Sequence, residues 1–572
     1  MRAHPHIAAT AGAAALVLLA AVTAAATIAT TAAAQTPAAA PFPVTIEVNA
    51  ARAAGPLKPI WRFFGADEPN YATMKDGRKL LKNLGELRPG QVYFRTHNLL
   101  NTGDGTGAFK WGSTNAYTED KDGKPVYNWT IVDGILDAYL ARGVRPYLQI
   151  GFMPEALSSA KPGTPYQHSW RPGFAYELIE GGWNAPPKDY AKWGELVYQW
   201  TKHNVERYGR DEVKTWYFEV WNEPNGKSYW TGTQAEFNQL HDYAIAGVRR
   251  ALPDARVGGP DVAGPGGAFM DGFLAHVANG TNYATGERGT PTDFLAFHAK
   301  GSPTFVDGHV RMGIDKQLQG VDAGFRRIAA IPQMRDKPII IGENDPEGCA
   351  ACPGPQNAYR NGTMYSSYTA ASYKRIWQLA ARNQVNLEGA LTWAFTFEDQ
   401  PWFAGYRQLA TNGVDLPVLN VFRLFAKLGA TELAAHSDGE IALADITRNG
   451  VRGKADVGVL ATRADDGKVA VLVWHYHDDD VAGPDAAVTL KLAGLARQTK
   501  ATQWRVDKTT ANAFSAWQAM GAPQSPDEKQ YVELERASAL HPATLAPPAI
   551  SNGATTLSFT LPRQGVTLLL LE

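Results

Sequence analysis

The chain has 572 residues and a formal net charge of -1, a length that suits two or three domains, one of them a large barrel. Near-neutral charge and the lack of a long basic run argue against a nucleic-acid partner. The 16 Trp, 22 Tyr and 22 Phe supply core, and also rings able to stack on sugar faces.

Residues 1–34 read as a secretory signal peptide. Arg2 precedes an Ala-rich apolar run from about Ile7 to Thr30, and small residues continue to Ala34, as at an Ala-x-Ala cleavage site. An uncleaved membrane anchor is the alternative. TPAAAPFP (Thr36 to Pro43) reads as a linker, and residues 35–59 as linker plus one strand, VTIEVNA. No second run is long enough to span a membrane, so the mature protein is expected to be exported, secreted or periplasmic, with no integral membrane domain.

From 60 to 430, apolar strands alternate with amphipathic helices. The strands are FFGAD (63–67), VYFRTH (92–97), RPYLQIGF (145–152), WYFEVWNE (216–223), RVGGPD (256–261), DFLAFHAK (293–300), PIIIGEND (338–345) and ALTWAFTF (390–397). Helical periodicity falls between them, as in IVDGILDAYLARG, YAKWGELVYQWTKHNVERYG and YTAASYKRIWQLAARN. Eight such alternations predict an α/β fold of the (β/α)₈ TIM-barrel type. An open doubly wound sheet would want a Gly-rich turn after FFGAD, and none is there. The two cysteines, Cys349 and Cys352, lack His partners at zinc spacing, so no metal site is expected. In an exported chain they read as a small local disulfide. From 431 to 572, alternating strands such as VGVLATR, KVAVLVWHYH, AAVTLKLAG and GVTLLLLE predict a C-terminal antiparallel β-sandwich, with VTIEVNA as a candidate additional strand.

Barrel chemistry sits at the C-terminal ends of the strands. Those ends carry His97, Asn222, Glu223, His298, Lys300, Glu343, Asn344 and Trp393. Glu223 on strand four and Glu343 on strand seven would face each other across the mouth. Glycoside cleavage needs such a pair, one carboxyl to protonate the leaving oxygen and one to attack or to activate water. For either glutamate alone, a solvated or Arg-paired carboxylate is the plainer reading. Glu219, four residues earlier on strand four, is expected deeper in the barrel in an ion pair.

The ten residues Trp216–Asn225, WYFEVWNEPN, resemble the acid/base signature of glycoside hydrolase family 39, the retaining β-xylosidases and α-L-iduronidases. The resemblance implies that Glu223 is the general acid/base, that Asn222 binds the sugar 2-hydroxyl, and that Glu343 in IIIGEND is the nucleophile, with Glu347 as rival. It implies double displacement with retention, carboxyls about 5–5.5 Å apart, an acid held protonated by the nucleophile's charge, and no cofactor. His97 in FRTHN then matches a histidine that holds a sugar hydroxyl, and His298 would orient the nucleophile; for each, a structural role is the alternative. Trp393 would floor the sugar site, or pack in the core.

His298-Ala-Lys300-Gly departs from the family's xylosidases, which usually carry tyrosine at the Lys300 position. It matches the iduronidase branch, where the lysine helps bind the substrate carboxylate. Arg407 would supply a second positive group. The expected function is therefore a secreted exo-glycosidase acting on a carbohydrate, a β-xylosidase first, with an iduronidase-like or arabinosidase-type enzyme as the alternative within the family. A non-catalytic carbohydrate-binding barrel is the alternative from another class, disfavoured because both glutamates are present. A structural or adhesive protein would show repeats or stalks that this chain lacks.

Overall fold

The computed structural model describes residues 40–166, 181–352, 354–495 and 500–572. Residues 1–34, read from the sequence as a signal peptide, lie outside them. Strand β1 (Phe42–Pro56) comes first, before any barrel element.

The barrel strands are β2 (Phe63–Ala66), β3 (Val92–Thr96), β4 (Val144–Ile150), β5 (Tyr217–Val220), β6 (Arg256–Val262), β7 (Phe294–Lys300), β8 (Ile339–Asp345) and β9 (Leu387–Thr392). They close in sequence order into an eight-stranded barrel, with every pair parallel. The near-continuous apolar runs of β4 and β8 suit strands buried on both faces. Each strand is followed by a helix: α1 (Lys75–Leu87), α2 (Thr130–Leu140), α3 (Tyr190–Tyr208), α4 (Gln234–Ala251), α5 (Gly267–Asn279), α6 (Ile314–Ala329), α7 (Thr363–Asn383) and α8 (Pro417–Phe425). Local signals set these boundaries: Asp189 caps α3, and Thr233 with Glu236 forms a capping box on α4. Inside the barrel, Phe63, Tyr93, Tyr147, Tyr217 and Phe294 form an aromatic plug capped by Trp393. The barrel is thus a packed core, open to chemistry only at its mouth.

The strands after 430 are β10 (Thr431–Ser437), β11 (Asp456–Arg463), β12 (Val469–Tyr476), β13 (Ala486–Ala493), β14 (Ala501–Val506), β15 (Ala543–Thr544), β16 (Thr555–Leu561) and β17 (Val566–Leu571). They form one nine-stranded sheet, ordered β15-β14-β17-β12-β11-β10-β1-β13-β16. The sheet curls around its own apolar core of Val44, Ile46, Val459, Val471, Leu490 and Leu569, which is how the expected sandwich is built. VTIEVNA joins it as part of β1, internally, between β10 and β13. The β1–β13 pairing is parallel, the exception in an otherwise antiparallel sheet. Three helices also occur here, Leu443–Asn449, Ala513–Ala519 and Glu528–Ser538, where helical periodicity had been sparse. Helix α7 ties barrel to sheet through buried Arg375, which donates to Asp456 Oδ1 at 2.8 Å and to the Ile441 carbonyl at 2.9 Å.

Candidate active site

Backbone irregularities aim the side chains at the mouth. Strand β5 ends at Val220 rather than at Glu223, because the chain turns through positive φ at Trp221 (70°) and Glu223 (44°), a conformation costly for non-glycine residues. Glu223 N–H is held by the Asp261 carbonyl at 2.9 Å. Strand β6 bulges between Pro260 and Val262, with Asp261 at φ 50°, and β8 bulges between Ile341 and Glu343. The second bulge leaves Gly342 against the Asp261 carboxylate, where any Cβ would collide. Bulges of this kind re-aim side chains beside active sites.

Arg95, in the middle of β3 and fully buried, organises the floor. It meets Glu219 Oε1 and Asp261 Oδ2, each at 2.5 Å, and donates to Asn222 Oδ1 at 3.0 Å. Tyr147 adds a bond to Glu219 Oε2 at 2.5 Å, so Glu219 is the buried ion-pair partner expected from its depth. The Asn222 carbonyl oxygen is thereby occupied, while its Nδ2 has no hydrogen-bond partner among the described residues.

His298 joins the two candidate carboxyls. Its Nδ1 lies 2.8 Å from Glu223 Oε1, and its Nε2 lies 3.0 Å from Asp261 Oδ2 and 3.8 Å from Glu343 Oε1. Burial opposes a charge on this ring, but Asp261 and Glu343 outweigh it and raise the imidazole to about 10; His298 is a cation whose Nδ1–H donates to Glu223 while Nε2 faces Asp261 as an ion pair. Lys300 Nζ sits 2.6 Å from Glu343 Oε2 and 2.6 Å from Asp345 Oδ2. Burial would raise the Glu343 carboxyl, yet His298 and Lys300 hold it well below the usual carboxylate range, so Glu343 is an anion with a shielded charge. The Glu223 side chain is 23% exposed against 8% for Glu343.

Across the mouth, His97 is neutral: burial first, then Arg95, lowers it to about 3. Its Nε2 accepts from Arg95 Nη1 at 3.0 Å, so Nδ1–H donates to Asp67 Oδ1 at 2.8 Å. Both nitrogens are thus engaged by protein groups, and Nε2 also lies 3.8 Å from Glu343 Oε1. Asp67 Oδ2 also pairs with Lys110 and accepts from Trp393 Nε1 at 3.3 Å. Asp67, Lys110, Glu223, Tyr229, Glu343 and Trp393, with backbone at Gly348 and Ala350, border one cavity of about 280 Å³. Trp393 therefore borders it as well as capping the core; at Gly65 a side chain would meet the indole at 2.5 Å. A larger open groove of about 890 Å³ on the curled sheet is bordered by one carboxylate alone, Glu47.

Two sequence expectations change. Arg407 does not face the cavity: it is fully buried, with Asp345 Oδ1 at 2.5 Å and Glu347 Oε1 at 2.6 Å. Glu347 is likewise consumed by Arg407, Arg360 at 2.9 Å and Tyr359 at 2.8 Å, which removes it as rival to Glu343. Lys300 is 16% exposed, and its ammonium lies between the Glu343 and Asp345 carboxylates. Asp67, Lys110, Arg95 and Asp261 were not singled out by sequence reading. Asp67 and Asp261 end strands and were visible in principle, whereas Lys110 comes from a loop with no periodic signal. Cys349 and Cys352 form the expected disulfide. Among the described residues no group of His, Cys, Asp and Glu is arranged to hold a metal, and no helix is long and apolar enough to cross a membrane.

Residues 44–555 match the family model described as Glycosyl hydrolases family 39. A β-xylosidase of Geobacillus stearothermophilus is 27% identical over 90% of this chain and 93% of its own. An α-L-iduronidase of Canis lupus familiaris is also 27% identical, over 92% of this chain and 77% of its own. A solved structure described as the bacterial orthologue of human α-L-iduronidase superposes with TM-score 0.73 at 21% identity, covering 92% of this chain and 83% of that one. A family model spanning nearly the whole chain, on a barrel whose mouth brings two carboxylates to one cavity, makes this protein a member of glycoside hydrolase family 39.

Proposed function

We propose that the chain is a retaining exo-glycosidase with Glu343 as nucleophile and Glu223 as general acid/base, acting on β-D-xylosides. The observation that carries this reading is the shared cavity: both carboxyls border it, and one imidazolium, His298, contacts both. Glu343 attacks the anomeric carbon while Glu223 gives its proton to the departing oxygen. The resulting glycosyl-enzyme is then hydrolysed by a water that Glu223 deprotonates. Asn222 Nδ2 is the donor for the sugar 2-hydroxyl, a bond that strengthens as the oxocarbenium-like transition state forms. Trp393 offers a face for the sugar ring. His298 and Lys300 act as positioning residues that keep Glu343 ionised.

A neutral sugar is supported by the charge balance. Lys110 and Lys300 are each paired with carboxylates and Arg407 is buried, while Glu223, Glu343 and Asp67 all face the cavity. The modest cavity volume suits a terminal sugar and exo action. A uronide is the second reading, favoured by Lys110, whose amine borders the cavity beside Asp67 and is lowered by burial to about 7. Export is part of the proposal, supported by the Ala-rich leader and by the disulfide, which persists in oxidising compartments; N-terminal sequencing of protein recovered outside the cytoplasm, beginning near Gln35, would support it.

The test is a panel of aryl glycosides comprising β-D-xyloside, α-L-iduronide and α-L-arabinosides, on wild type, Glu223→Gln and Glu343→Gln. Wild type should turn over the xyloside fastest and release it first as the β anomer. Both variants should lose at least about 10³-fold, as expected when a nucleophile or acid is removed. Retained activity in Glu343→Gln, or first release of the α anomer, would sink the mechanism. Preference for the iduronide would select the second reading.

A further inference from the structure

The proposed chemistry uses one side of the cavity, that of strands β5, β7 and β8. The opposite side, formed after β2 and by the loop around Lys110, is built with equal care and has no part in bond cleavage. Asp67 follows β2 and receives three donors, from His97, Lys110 and Trp393, using three of its roughly four acceptor directions. Lys110 is buried on that wall, its own backbone N–H donating to buried Glu68 Oε1 at 2.8 Å, with φ at 57°. A left-handed lysine anchored through its backbone is a residue whose position is specified. His97, neutral and doubly bonded, links Asp67 to Arg95 and hence to Asn222 and Glu219.

Placement then gives the ligand chemistry. A sugar with C1 between Glu223 and Glu343, and with its 2-hydroxyl at Asn222, presents its remaining edge, C3 and C4, to the wall across the mouth. That wall offers one carboxylate and one ammonium side by side, with the Trp393 indole N–H donating to the same carboxylate. Such a pair matches a vicinal diol, the carboxylate accepting from one hydroxyl and the ammonium donating to its neighbour, both as charge-assisted bonds.

We propose that Asp67 and Lys110 form the specificity determinant of the site, reading the C3 and C4 hydroxyls of the terminal sugar. This rests on the placement of C1 and C2 given above for Glu223, Glu343 and Asn222. A site built to bond a hydroxyl discriminates strongly against the analogue that lacks it, because its buried polar groups are left unpaired.

The experiment pairs protein and substrate deletions. For the glycoside that wild type hydrolyses fastest, kcat/KM is measured on the parent and on its 3-deoxy and 4-deoxy analogues, with wild type, Lys110→Met and Asp67→Asn, thermal melts verifying that each variant is folded. Lys110→Gln, which keeps one donor, serves if Lys110→Met does not fold. The expected result is a loss of about 10- to 100-fold on the parent, the range for a charge-assisted bond, shrinking below about threefold on at least one deoxy analogue. Equal losses on parent and both analogues would overturn the proposal, since the pair would then act on neither hydroxyl. Failure of the catalytic placement is separately visible, as undiminished turnover by Glu223→Gln or Glu343→Gln.

Discussion

Replacing Lys300 by methionine separates two roles that the motif His298-Ala-Lys300-Gly leaves open. The ammonium lies 2.6 Å from Glu343 Oε2 and is 16% exposed, so its charge acts on the nucleophile with little screening. Unit charges about 4 Å apart at an effective dielectric near 20 interact by about 4 kcal/mol, or about 3 pH units on the carboxyl. Asp345, still paired with Arg407, stays negative and pushes in the same direction. The Glu343 carboxyl, now well below the usual range, should return to that range or rise above it. Because kcat/KM reports free-enzyme ionisations, Lys300→Met should show a new acid limb between about pH 4 and 6 on a neutral aryl xyloside. Near pH 7 it should keep most of its activity. A uniform loss at every pH, or a loss confined to acidic sugars, would refute this and make Lys300 a substrate-binding residue.

Three further outcomes follow from the same geometry. The raised His298 contributes stability that is complete below its ordinary value of 6.5 and is lost as pH rises through about 10, so Tm should fall across that window, and less steeply in His298→Gln; parallel slopes would contradict it. Gly342→Ala puts a methyl into the Asp261 carboxylate and should cost about 1–3 kcal/mol in urea unfolding, together with kcat; an unchanged midpoint would mean that the bulge relaxes freely. Arg95→Met removes the cation shared by buried Glu219 and Asp261 and should cost about 3–5 kcal/mol, measured in the same titration. A cost under about 1 kcal/mol would show these carboxyls to be neutral in the fold.

The barrel was legible because its strands and helices carry period and punctuation, and WNEPN carries a family signature. Glu343 was legible as a strand-end carboxylate. What strand-end reading could not show is rotation. Asp261 and Glu343 point inward because of bulges at Asp261 and Gly342, and Glu223 sits three residues past its strand, turned by positive φ at Trp221 and at Glu223 itself. Arg407 was misplaced for a related reason: a cation near a mouth looks available until its carboxylate partners, Asp345 and Glu347, are seen to bury it. Lys110 reaches the cavity by tertiary packing of an irregular loop, for which no periodicity exists to be read.

Strand β1 is an internal strand of the curled sheet, between β10 and β13, and β17 is internal too, between β14 and β12. The first and last strands of the described fold are thus both woven into one sheet, and its edges belong to β15 and β16. Residues 42–56 must wait for residues 431–437 and 486–493 before they can pair, so the sheet is a late event, reached only after the whole barrel has been synthesised. Until then β1 is an unpaired apolar segment, a liability for aggregation that falls early in translation. Trimming either strand removes a central member rather than an edge, and splits the sheet instead of shortening it.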